Sequence, residues 1–298
     1  MSEKERLVKY LSRAGLDALF IIKESFLGYK YRKYNNKLYN SDVDIPTQLI
    51  RMYYGLNPDD IVFDKMKTSF MNRYIMNESK LEGINDSDIH GKEEIEGLKK
   101  MYEYIHSDDI DYKFDIYTLK DLHKQLFSCA PFPENAGDFR NMDVYLPHTG
   151  SELTEWSMIR PRLDELDKEL KAIQKMGKTV KKRNDVNKLL NYMDSCIELK
   201  CKLIKVHPFR DGNGRTIRGF TNKLFEDVGL PPIYIKANER TEYHRAMNLA
   251  NNEGDYSEIK QFYRYKVCDS IIELDINSKV NSETHKEGSK VKTKKPNE

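Results

Sequence analysis

No apolar run in this chain is long enough to cross a bilayer. The longest, Ala18-Leu-Phe-Ile-Ile22, falls far short of the roughly 20 residues a spanning helix needs. Nor does a cleavable apolar stretch follow the mixed charges of Met1-Ser-Glu-Lys-Glu-Arg6. An excess of charge is also missing: 50 Lys and Arg against 48 Asp and Glu leave +2. No overall field therefore draws the chain to nucleic acid or to an anionic membrane. The four cysteines (Cys129, Cys196, Cys201, Cys268) have neither metal-ligand nor disulfide-framework spacing, and the expected compartment is a reducing cytoplasm. Internal repeats are absent too.

What is present is a chain of 298 residues, 39% apolar and 33% charged, a balance that fits a helix-rich protein with material for a large core. Leu7, Leu11 and Ala14 suit a first helix and Tyr29 to Asn40 a loop. Asp44-Ile-Pro46 opens a further helix, since proline is tolerated in a first turn. Phe63, Met66, Phe70, Tyr74 and Ile75 share one helical face, with Gly83 as its stop. Helical patterns follow around Glu94–Ile105, Leu119–Phe127 and Trp156–Lys175, with a basic loop over Met176–Asn184. Met142-Asp-Val-Tyr-Leu-Pro147 is the best strand pattern. Leu189, Met193, Ile197, Cys201 and Ile204 mark the strongest helix, Asn187 to Val206, with a stripe broad enough for a bundle interior. Two short helices are expected between Tyr243 and Phe262.

That strongest helix runs into His207-Pro-Phe-Arg-Asp-Gly-Asn-Gly-Arg-Thr-Ile-Arg218. A new helix begins after the glycines and offers unpaired N–H groups and a dipole that favours anions. Gly212 and Gly214 allow positive φ and leave the backbone open to phosphate oxygens. Arg215 and Arg218 bring guanidinium forks to the first turn. Asp211 supplies one hard oxygen suited to magnesium, His207 can take a proton, and Asn213 can hydrogen-bond a phosphate. A calcium loop with Gly214 at the glycine position would put Phe209 and Phe220 at its first and last ligands, so that reading fails. Zinc lacks a third ligand at motif spacing. The set reads as a phosphate-transfer site.

His-Pro-Phe-x-Asp-Gly-Asn-Gly-Arg-x-x-Arg resembles the signature of Fic domains, with every position filled from His207 to Arg218. The resemblance implies an all-α core with a small β-hairpin flap, and transfer of AMP from ATP to a protein hydroxyl with release of pyrophosphate. It implies His207 as general base and Asp211 as the ligand of Mg²⁺. Gly212, Asn213 and Gly214 would form the anion hole, with Arg215 and Arg218 on the phosphates. Gly137-Asp-Phe-Arg140 resembles the segment before the flap, whose Val144, Tyr145 and Leu146 would align a target strand. Tyr243-His-Arg-Ala-Met-Asn-Leu-Ala-Asn-Asn-Glu-Gly-Asp255 resembles the lining of the adenine pocket, with Tyr243 and Asn251 as best matches and Asn252 close behind. The likeness covers about residues 65 to 270.

Glu78-Ser-Lys-Leu-Glu-Gly83 resembles the family's inhibitory motif, Ser/Thr-x-x-x-Glu-Gly/Asn. The resemblance implies that Glu82 pairs with Arg218 and keeps it from the γ-phosphate. Glu78 stands where Ser or Thr is expected, and Ser79 follows one residue later as a second inhibitory candidate. The resulting division is 1–62 helical extension, 63–84 inhibitory helix, 85–270 catalytic core and 271–298 disordered polar tail. The expected partners are ATP and target proteins with a Ser, Thr or Tyr hydroxyl, the chain itself among them. No membrane or nucleic-acid partner is expected, and a homo-oligomer is left open. The alternatives are removal of AMP, transfer of another phosphate-containing group (UMP, phosphate, phosphocholine), and a partner-binding regulatory module.

Overall fold

Proline in a first turn starts the first helix seen in the computed structural model, which describes residues 45–55, 63–84, 87, 89–130, 136–145, 152–181, 185–271 and 273. The helix around Leu7, the loop over 29–40 and the tail beyond 273 lie outside these residues. The chain divides into two units, Met1–Phe70 with Val267–Glu298, and Met71–Lys266. In the first unit, helix α1 (Ile45–Gly55) carries Pro46 in its first turn, where its missing N–H costs nothing. The Cys268 thiol donates to the Pro46 carbonyl at 3.5 Å. Helix α2 (Phe63–Glu82) begins in this unit and ends in the second.

The second unit continues with α3 (Ile89–Ile105), α4 (Asp108–Tyr112), α5 (Thr118–Phe127), α6 (Ile159–Val180), α7 (Val186–Val206), α8 (Asn213–Glu226) and α9 (Arg240–Glu253). A last helix, α10, covers 257–271 and crosses the second boundary. Helix α6 lies along α7, α3 along α5, and α9 on α7, while α8 touches α7, α5 and α3. Helix α8 is therefore the middle of this unit, and every residue from Arg215 to Phe225 on it is buried. Buried polar groups need partners, and α8 supplies them. The Asn222 amide donates to the Ile233 carbonyl at 2.8 Å and accepts from its N–H at 3.0 Å.

Helix α7 starts at an Asp185 cap, whose carboxylate accepts from the N–H groups of Asn187 and Lys188. Leu189, Met193, Ile197 and Cys201 are buried as their spacing predicts. Ile204 is only half-buried, and Tyr192, Leu199 and Val206 widen the stripe instead. The basic loop expected over 176–184 is a correction: α6 runs to Val180, because Ile173, Gly177 and Val180 extend the buried face of Leu163, Leu166 and Leu170. Gly177-Lys178-Thr179 thus ends a helix, the wrong pole for phosphate.

Among the described residues there is no strand. The strand expected over 142–147 is unpaired as far as Tyr145, and Leu146 onward lies outside the described residues. A side chain takes one backbone group a ladder would use, since Arg140 Nη1 donates to the Met142 carbonyl at 2.9 Å, and Asp143 Oδ1 accepts from the Trp156 N–H at 2.7 Å.

Candidate active site

His207 ends α7 with φ 49° and ψ 60°, and among the described residues it alone has positive φ without being glycine. The left-handed conformation costs about 1–2 kcal/mol for a residue with a Cβ. Arg140 offsets it. Its side chain is buried, and Nε donates to the His207 carbonyl at 2.8 Å, while Nη2 reaches the carbonyls of Val206 and Thr154. Its own N–H donates to the Pro208 carbonyl at 2.9 Å. A cation at the carboxyl end of α7 also complements the helix dipole. His207 Nδ1 is enclosed, and among the described residues it makes no hydrogen bond of good geometry. Burial, helped by the Arg140 charge, pushes the imidazole down to about 4, so it is neutral at pH 7 and able to accept a proton.

Two side chains shape the loop that follows. Asn213 pairs with Phe209, donating to its carbonyl at 2.8 Å and accepting from its N–H at 2.9 Å. One of the two amide N–H groups expected to bind phosphate is thus used to hold the loop. The second is His123 of α5, which sequence reasoning missed. Gly137 donates its N–H to Nδ1 at 2.9 Å, so Nε2 carries the proton and donates to the Asp211 carbonyl at 3.1 Å. The ring stacks on Phe209 with centroids 3.9 Å apart. Burial pushes its pKa down to about 4, which keeps this tautomer uncharged.

Gly212 adopts φ 69° as the cap of α8, and a Cβ there would stand 2.3 Å from Phe127 Cε2. Asp211 Oδ1 accepts from the Gly212 N–H at 2.6 Å, and its carboxylate is otherwise exposed, with Arg215 Nη2 3.5 Å from Oδ2. Among the described residues, nothing accepts from the N–H groups of Asn213, Gly214 and Arg215, the free donors of a helix start. Arg215 is buried between Glu94, at 2.5 Å from Nη1, and the face of Phe127.

Arg218 is held from α2. Gly83 at φ 76° closes that helix with paired bonds, Ile84 N–H to Ser79 carbonyl and Gly83 N–H to Lys80 carbonyl, the pattern of a Schellman end. This leaves Glu82 at the last turn, where Oε1 accepts from Arg218 Nη2 at 2.5 Å. A carboxylate is unfavourable at that pole of a helix. Burial would raise Glu82 further, but Arg218 outweighs it and holds the carboxyl below its usual range. The expected pairing of Glu82 with Arg218 is present in the geometry. Ser79 is not part of it: its hydroxyl donates to the Ile75 carbonyl at 2.7 Å, one turn back on its own helix. Glu78 instead reaches Arg218, with contacts of 2.9 and 2.7 Å to Nε and Nη2. No sequence signal marked it beyond its departure from the motif.

The two residues expected to line an adenine pocket both lie on α9. Tyr243 is 3% exposed, and its hydroxyl accepts from buried Lys200 at 2.6 Å, so little of its ring is open to a base. The Asn251 carbonyl accepts from Lys205 Nζ at 3.3 Å, which ties α9 to the last turn of α7. Of the flap residues, Tyr145 is exposed, Val144 is half-buried and Leu146 lies outside the described residues.

Residues 113–225 match the profile of the Fic/DOC family. A protein adenylyltransferase Fic of Culex quinquefasciatus is 30% identical over 186 residues, 61% of this chain and 33% of that protein. One of Nematostella vectensis is 27% identical over 175 residues, 58% of this chain and 36% of that protein. The chain thus spans about a third of the length of these curated relatives. Among solved structures, Fic-1 from C. elegans superposes with a TM-score of 0.60 at 20% identity, over 79% of this chain and 71% of that one. A Fic domain containing signaling protein from Bacteroides thetaiotaomicron also gives 0.60, at 14% identity over 77% and 96%. The described residues therefore share the helical fold of these proteins. Helices α2 and α9 lie outside the matched residues, while α5 to α8 lie within them. The chain is thus similar to the Fic/DOC family over residues 113–225, which hold the whole stretch from His207 to Arg218.

Proposed function

We propose that this chain transfers AMP from ATP to a hydroxyl of a protein target and that Glu82 holds the reaction back. The hydroxyl oxygen attacks the α-phosphorus, the bond to pyrophosphate breaks, and His207 takes the hydroxyl proton. The observation that carries this reading is the run of open N–H groups on Asn213, Gly214 and Arg215, directly after a neutral imidazole. Such a helix start holds phosphate oxygens. The names of the curated relatives support AMP as the group moved. A base near 4 is weak, but a bound triphosphate places negative charge beside it and raises its pKa. Proton acceptance then improves only when substrate is in place.

In this reading Arg215 and Arg218 grip the phosphate chain, the latter once Glu82 has moved. Tyr243 and Asn251 meet the base, and the segment of Val144, Tyr145 and Leu146 aligns the target. Magnesium belongs to the same reading. One exposed carboxylate beside open amides fits an ion that arrives on the phosphates and keeps several waters, so Asp211 would hold it. When bound, the ion neutralises charge on the departing pyrophosphate. No described helix is long and apolar enough to cross a membrane, and the four free thiols suit a reducing cytoplasm.

The test is His207→Ala. Transfer of AMP should be abolished while ATP affinity is kept, because the imidazole acts on the hydroxyl and not on the nucleotide. Substantial retained transfer would refute the general-base role. Mass spectrometry of the modified protein, the chain itself included, separates AMP from UMP, phosphate and phosphocholine.

A further inference from the structure

Two carboxylates hold Arg218, and they differ in freedom. The Glu82 side chain sits at the end of α2 and is 33% exposed, whereas that of Glu78, one turn earlier, is 0% exposed. They also hold different edges of the guanidinium. Glu78 takes the Nε and Nη2 edge, at 3.1, 2.9 and 2.7 Å. Glu82 takes Nη2 alone, and its Oε1 stands 3.2 Å from where a Cβ on Gly214 would be. Arg218 Nη1 stands 2.8 Å from that same point, and among the described residues nothing accepts from it. The Nη1/Nη2 edge is thus turned to the start of α8, and among the described residues only Glu82 occupies it.

We propose that Glu78 is the standing counter-ion and positioning residue of Arg218. It stays paired when Glu82 leaves and keeps the Nη1/Nη2 edge facing the phosphates. The inference rests on the phosphate role proposed for Arg218. A brake has to let go, and Glu82 can swing from a helix end into water. Glu78 has no such exit, because separating it from Arg218 would leave two buried charges unpaired. Burial raises the Glu78 carboxyl above its usual range even with Arg218 pulling it down, so the buried carboxylate depends on the arginine. A hydroxyl at this position, as in the resembled motif, would leave the buried arginine without an anion once Glu82 moved. The two acidic residues divide the work: one aims the arginine, the other covers it.

The test uses the whole chain carrying Glu82→Gly, with dissociation constants for ATP and AMP measured calorimetrically with magnesium. Adding Glu78→Gln should raise the ATP constant about tenfold and leave that of AMP unchanged, because AMP has no distal phosphate for Arg218 to hold. Equal weakening of both ligands would mean a merely structural role and overturn the proposal. Unchanged or tighter ATP binding would overturn it as well. If Glu78→Gln does not fold, Glu78→Asp keeps the charge but loses reach across both nitrogens, and a smaller loss confined to ATP is expected. Glu78→Gln alone, with Glu82 intact, should not raise AMP transfer; a rise would make Glu78 a second brake. If Glu82→Gly binds ATP and moves no AMP, the transfer reading fails, while the binding comparison still decides the role of Glu78.

Discussion

Glu82→Gly removes the one contact that, among the described residues, closes the Nη1/Nη2 edge of Arg218 proposed to face the phosphates. A charge-assisted hydrogen bond of 2.5 Å is worth about 1.5–3 kcal/mol when well buried. Glu82 is one-third exposed, and solvent screening brings this to about 1–2 kcal/mol. At about 1.4 kcal/mol per factor of ten, the edge is open in roughly one molecule in 5 to one in 30 at rest. Incorporation of label from radiolabelled ATP, on the chain itself or on lysate proteins, should therefore rise about fivefold to thirtyfold. Because the pair is partly exposed, raising the salt should narrow the gap between variant and parent. Glu82→Gln is the control for helix effects, since it keeps the length of the side chain and removes an unfavourable charge from the end of α2. Labelling that stays at the parent level while ATP binds normally would refute the argument.

Acid should loosen the fold through His123 and His207. Both are held near 4 by burial, against 6.5 for a free histidine. As pH falls below 6.5 the unfolded chain takes up protons first, so stability is full above that value and declines down to 4, by roughly 3 kcal/mol per histidine. Denaturant midpoints at pH 7 and 4.5 check this: His123→Gln should flatten the decline, and a parent profile flat across the window would contradict it. Gly212→Ala should destabilise the protein by about 2–4 kcal/mol, since a left-handed φ and a 2.3 Å approach to Phe127 add strain to overpacking. A melting temperature within a degree or two of the parent would contradict that.

The stretch from His207 to Arg218 was legible because its chemistry is contiguous: the base, the loop and the guanidinium groups follow one another along the chain. Glu82 was legible through its glycine, which fixes the end of α2. Glu78 was not, because a glutamate on a helix ordinarily faces water and its partner lies 140 residues away. His123 gave no signal for a similar reason. One histidine on an amphipathic helix looks like surface until the Asp211 carbonyl and the Gly137 N–H are brought to its two nitrogens. Ser79 misled through proximity, because its hydroxyl finds a carbonyl on its own helix before it can reach the site. The strand pattern at Met142 is unpaired as far as Tyr145, and Arg140 takes the Met142 carbonyl there.

Arg140 secures the carboxyl end of α7 almost wholly through carbonyl oxygens: those of Met142, Thr154, Val206 and His207. A carbonyl is the same whatever side chain stands above it. The side chains of Met142 and Thr154 can therefore change without costing Arg140 these bonds.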